Sequence, residues 1–89
     1  MIRYARNPQI ADRRMDDDSF LVNPDNDALY QLNGTGTAIW HLLAEPMAVE
    51  EIAASFIEAF PDVGQKALRA DIEKAIDQLS GRGLIIRHG

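Results

Sequence analysis

Apolar residues change their spacing once along this chain, close to residue 33, and that change limits the folds open to it. Before it they lie in short runs suited to extended strands; after it they recur three or four residues apart, as on helices. Phe20, Leu21 and Val22 run into Asn23, Pro24, Asp25, Asn26 and Asp27, whose side chains or fixed dihedrals favour turns. The apolar pattern then resumes, so residues 19–23 and 27–32 read as a hairpin. Its second arm sets Ala28, Tyr30 and Leu32 on one face and Leu29 and Gln31 on the other. Residues 9–15, framed by Pro8 and the charged run 13–18, read as a further strand.

Three helices are expected downstream. Ala38, Ile39, Leu42 and Leu43 define the first, with Thr35 or Thr37 as its cap and Pro46 as its stop. The corner at Gly34, Thr35 and Gly36 has a mechanical reading. Glycine tolerates positive dihedrals and threonine bonds the free amides of a first helical turn, so no ligand is required. Residues 49–60 place Ile52, Ala53, Phe56, Ile57 and Phe60 on one stripe, with Glu50 and Glu51 at the favourable end of the helix dipole and Pro61 beyond. Residues 64–80 carry Leu68, Ile72, Ala75, Ile76 and Leu79 on one face and end at Gly81 and Gly83. Residues 84–86 make a last strand or a tail packed on the core. Strands followed by helices indicate an α+β class.

Composition narrows the function. With 89 residues, 46% of them hydrophobic, the chain has material for one domain with one core, and no deep multi-walled catalytic pocket is expected. A net charge of −5 has the wrong sign for phosphate-backbone attraction, which weighs against nucleic acid. Cysteine is absent, so disulfides and thiolate metal sites are excluded. No apolar run has signal-peptide or membrane-spanning character, which leads to the expectation of a soluble, cytoplasmic protein without a membrane partner.

The polar clusters do not assemble into known chemistry. Gly34, Thr35, Gly36 and Thr37 lack the rest of either phosphate-binding fingerprint. Asp16, Asp17 and Asp18 fit a solvated turn, and Asp25, Asn26 and Asp27 lack the alternation and closing glutamate of a calcium loop. His41 and His88 are far apart, with no further ligand at zinc spacing. His41 reads as a helix-surface residue, and Trp40 as partly buried beside the first helix's apolar stripe. Nothing is poised for acid–base or nucleophilic work, so neither catalysis, a metal nor a cofactor is expected.

The order of elements, with the segments YQLNGTGTAIWHLL, VEEIAASFIEAFPD and LRADIEKAIDQLSGRGLI, resembles the PqqD-like family. These are small peptide-binding domains, also called recognition elements of ribosomally synthesised, post-translationally modified peptides. The resemblance spans about residues 6–86. It rests on Leu32 and Asn33 before Thr35 and Gly36, on Glu51 and Ile52 opening the second helix, and on Asp71, Leu79, Gly83 and Leu84 around the third. The chain departs from the pattern at Ala48, where such sequences usually carry a threonine or serine cap; the loss weakens that helix start by about 1 kcal/mol.

The resemblance implies a winged helix-turn-helix-like fold, with an N-terminal three-stranded antiparallel sheet followed by three helices. It also implies a non-catalytic chaperone that takes the leader of a precursor peptide as an added strand and presents it to a modifying enzyme or leader peptidase. An edge strand has unpaired amides and carbonyls, so an extended guest can continue the sheet. The expected site is Asp27, Ala28, Leu29, Tyr30, Gln31 and Leu32 on the edge. Across from it the third helix is expected to offer an apolar floor of Leu68, Ile72 and Ile76, which equally fit a core stripe, and a charged rim of Lys66, Arg69 and Glu73. Two other readings use the same fold. A winged-helix nucleic-acid binder needs a basic face, whereas the third helix mixes Lys66, Arg69, Lys74 and Arg82 with Asp71, Glu73 and Asp77. A structural dimerisation subunit would pair the edge with its own copy. The expected assembly state is a monomer or weak homodimer.

Overall fold

The turn residues 24–27 join two strands that pair along their whole length, and this hairpin is the centre of the chain's N-terminal half. The computed structural model describes residues 2–15, 18–32 and 34–88. Strand β3 (Asp18–Asn23) pairs antiparallel with β4 (Ala28–Leu32), placing Leu21 opposite Tyr30 and Val22 opposite Leu29. Strand β2 (Ala11–Met15) pairs with the other side of β3, so the order is β2-β3-β4, the expected three-stranded antiparallel sheet. Asp27 takes a left-handed conformation (φ 55°) at the end of the turn, a position that aspartate tolerates better than most residues. The Asn26 side chain accepts from the Ala28 amide at 2.9 Å and helps set the turn. Asp16, Asp17 and Asn33, which belong to the expected aspartate turn and family motif, lie outside the described residues.

A second, two-stranded sheet joins the chain's ends. Strand β1 (Arg3–Arg6) pairs with β5 (Ile85–His88), with Arg6 opposite Ile85, and Tyr4 exchanges backbone hydrogen bonds with Met47 at 2.8 and 3.0 Å. The terminal apolar run is therefore a strand. Residues 3–6 show no clear alternation, so β1 is a consequence of its partners rather than of local pattern.

The helices are α1 (Gly34–Leu42), α2 (Val49–Ala59) and α3 (Gln65–Gly81). Two expectations about the corner are corrected. Helix α1 already includes Gly34, so Thr35 and Thr37 lie inside it rather than at its cap. Gly34 and Gly36 are helical residues; the glycine that uses a positive dihedral is Gly83 (φ 71°), where α3 turns into β5. Helix α1 also ends at Leu42, before Pro46 is reached. Ala48 caps α2 with extended backbone and no side-chain bond, and its amide instead donates to Glu51 Oε1 at 2.9 Å. Half of a capping box thus survives without the usual hydroxyl.

The apolar stripes of all three helices share one core with Leu21 of β3, Leu32 of β4 and Ile85 of β5. Leu21, Ile39, Ile52, Ile72 and Leu84 are fully buried, and Trp40 and Leu43 nearly so. Burial of each such aliphatic side chain contributes roughly 1.5–3 kcal/mol. Trp40 is thus a core residue rather than a partly covered one. Its indole Nε1–H donates to Asp12 Oδ2 at 2.9 Å, and the Arg6 guanidinium lies over its ring at 4.7 Å while Arg6 Nε donates to the Trp40 carbonyl at 2.8 Å.

Candidate functional site

Because β4 ends the order β2-β3-β4, its outer side has no strand partner among the described residues. Pairing with β3 sends Tyr30 and Leu32 towards the helices and leaves Leu29 and Gln31 on the solvent face; Leu29 is 62% exposed. The hairpin's turn chemistry therefore determines which β4 side chains border the helices.

Helix α3 runs beside this edge. A narrow cleft of about 50 Å³ is lined by Gln31 and Leu32 of β4, Gly36 of α1, and Ala75, Gln78, Leu79 and Arg82. The Arg82 guanidinium lies 5.1 Å from the centre of the Tyr30 ring, tying the cleft's two walls by a cation–π contact. A wider cleft of about 320 Å³, which shares Ala75 and Gln78 with the narrow one, lies between Thr35 and the α3 residues Asp71 and Lys74. Gly36 and Ala75 are the small residues in the narrow cleft's lining.

The expected edge residues Ala28, Leu29, Tyr30, Gln31 and Leu32 lie together on β4, while Asp27 belongs to the turn. The helix wall differs from the sequence expectation. Leu68, Ile72 and Ile76 are closed into the core, so they offer no open floor to β4. Leu68 borders a different, mainly apolar cleft of about 380 Å³ shared with Gly34, Thr35, Ala38, Phe56, Phe60 and Val63. Arg69 turns towards α2, where its guanidinium forms a bidentate pair with Glu50, and Nε approaches Glu73 Oε1 at 3.3 Å. Hydrogen bonding to Arg69 holds the Glu50 carboxyl below its ordinary range, and Glu50 in turn holds the Arg69 guanidinium above its own. Lys66 is exposed and lines none of these clefts.

The α3 residues that share a cleft with β4 are Ala75, Gln78, Leu79 and Arg82, none of them among the expected site residues, while Asp71 and Lys74 lie further along the same flank and face Thr35 of α1. Their signal was the polar flank beside the apolar stripe: Asp71, Ala75, Gln78 and Arg82 recur at helical spacing just as Leu68, Ile72, Ile76 and Leu79 do. Spacing locates both flanks of a helix but does not say which one a strand will approach.

Elsewhere, Arg14 Nη2 and His41 Nε2 meet at 3.1 Å on the surface, and Arg3 lies 3.6 Å from Glu51. Among the described residues no three acidic or histidine side chains gather to hold a metal ion, and no helix is long and apolar enough to cross a membrane.

Comparison with known structures supports the architecture. Two solved structures share the fold: "TbiB1 in Complex with the TbiA(beta) Leader Peptide", with TM-score 0.79 and 21% identity over 91% of this chain and 93% of that one; and "Lasso peptide synthetase B1 complexed with the leader peptide", with TM-score 0.76 and 20% identity over 93% of this chain and 96% of that one. No curated protein sequence matches the chain. The family model described as "Coenzyme PQQ synthesis protein D (PqqD)" matches residues 18–85, from the first residue of β3 to the first of β5. The chain therefore belongs to the PqqD family.

Proposed function

We propose that this protein is a non-catalytic peptide chaperone, a single domain that captures the leader of a ribosomally made precursor and presents it to a modifying enzyme or leader peptidase. The observation that carries this reading is the free edge of β4 beside a cleft walled by α3. A guest strand laid along that edge satisfies the outward amides and carbonyls of β4, while its alternate side chains enter the cleft. That both solved relatives hold a leader peptide supports the same use here. The peptide-binding residues in this reading are Ala28, Leu29, Tyr30, Gln31 and Leu32 with the α3 flank Asp71, Lys74, Ala75, Gln78 and Arg82. The protein works in the cytoplasm as a monomer or weak homodimer, without nucleic acid or cofactor.

Amide chemical-shift mapping tests it, using synthetic peptides for the N-terminal segments of short reading frames beside the gene. Shifts are expected over residues 28–32 and 71–82. Shifts confined to α1 and α2 would overturn strand addition and make the protein a scaffold that docks elsewhere.

A further inference from the structure

Arg82 is placed to select the guest. Its guanidinium rests on the Tyr30 ring at the mouth of the narrow cleft, and it has no ion pair or side-chain hydrogen bond among the described residues. Arg69, by contrast, is occupied by Glu50 and Glu73. A planar cation held against an aromatic face retains its donors for a carboxylate, and being fixed it loses little freedom on binding one. The wider cleft is lined by both Asp71 and Lys74, whose charges offset, whereas Arg82 is the one charged residue among those lining the narrow cleft.

The outer face of the sheet adds a second criterion. Pairing aligns Ala11, Val22 and Leu29 in one row across β2, β3 and β4, and the row ends at Leu29, the most exposed large apolar residue on the sheet. A guest strand would extend that row, and directly opposed side chains share a face. If the guest continues the antiparallel pattern, its residue opposite Tyr30 points into the cleft towards Arg82, and its next residue lies opposite Leu29.

We infer that the preferred guest carries an acidic residue followed directly by an aliphatic one, the carboxylate received by Arg82 and the aliphatic side chain packed on Leu29. This rests on the strand-addition reading and adds the chemistry of the peptide. It also reconciles an acidic ligand with a protein of net charge −5, because the attraction is local to one free cation.

A random peptide library displayed on phage, selected on the immobilised protein, supplies the probe. The enriched peptide is then synthesised with a fluorescent label. Enrichment of Asp or Glu followed by Leu, Ile or Val is expected. Arg82→Glu should weaken that peptide about tenfold, and replacing the peptide's acid by lysine should restore binding to the variant. Arg82→Gln serves as a second variant, and urea unfolding establishes that both remain folded. Enriched peptides without a fixed acid, or unchanged affinity in Arg82→Glu, would overturn the inference while amide shifts on β4 preserve strand addition. If no peptide is enriched, or shifts miss β4, strand addition itself fails and the inference with it.

Discussion

Trp40 donates its indole N–H to Asp12 across 2.9 Å, joining the last turn of α1 to the edge strand β2. With Trp40 2% exposed, removal of the carboxylate leaves a buried donor without its partner. Asp12→Ala should therefore destabilise the fold by about 1–3 kcal/mol. In urea unfolding, Trp40→Phe combined with Asp12→Ala should cost less than the sum of the single changes. Strict additivity would show that the bond contributes nothing.

Gly83 tests the turn into β5. A Cβ there meets nothing within 4 Å, so a substitution is strained by its positive φ alone. Gly83→Ala should cost about 1 kcal/mol, and Gly83→Asn less, because asparagine visits the left-handed region more readily. Equal midpoints for all three proteins in urea would contradict this.

Acid should loosen the tie between α2 and α3. The Glu50 carboxyl is held below its ordinary value of 4.5, chiefly by hydrogen bonding to Arg69. A lowered folded-state value means that the contribution is complete above about pH 4.5 and is lost as pH falls through the lower folded-state value. Wild type should be slightly more stable than Glu50→Gln near pH 7, and the difference should vanish in acid. The effect is small because both side chains are largely exposed to solvent. A difference that grows on acidification would reverse the assignment.

Leu29→Pro probes the edge. Its side chain is exposed, so the main change is to the backbone of β4: one amide donor removed and extended geometry disturbed. Peptide uptake should fall at least tenfold in a fluorescence titration, as expected for lost main-chain pairing worth about 1.4 kcal/mol or more. Circular dichroism matching wild type is the control. Full affinity in a native-like variant would remove β4 from the site.

Duplex DNA should not bind at ~150 mM salt, because the net charge is −5 and the basic residues of α3 are interleaved with acidic ones. Fluorescence anisotropy showing tight, salt-sensitive binding would contradict this.

The sequence by itself determined the class of fold and the existence of an edge. The turn cluster 23–27 and the alternation after it specified the hairpin and the opposite faces of Tyr30 and Leu29; the stripes Ile52–Phe56 and Leu68–Ile72–Ile76 specified which helix faces are buried. These are local properties, because strand and helix periods are written in neighbouring residues. Tertiary structure decided the rest. Whether β4 would meet the Lys66–Arg69–Glu73 flank of α3 or the Ala75–Gln78–Arg82 flank depends on how α3 is rotated about its axis, and both flanks recur at helical spacing. That rotation is set by burying Leu68, Ile72, Ile76 and Leu79 against α1, α2 and β5, a packing among residues distant in the chain. The pairing of β1 with β5 was hidden for the same reason: residues 3–6 acquire their strand from a partner more than 75 positions away, and no local pattern encodes such a partner.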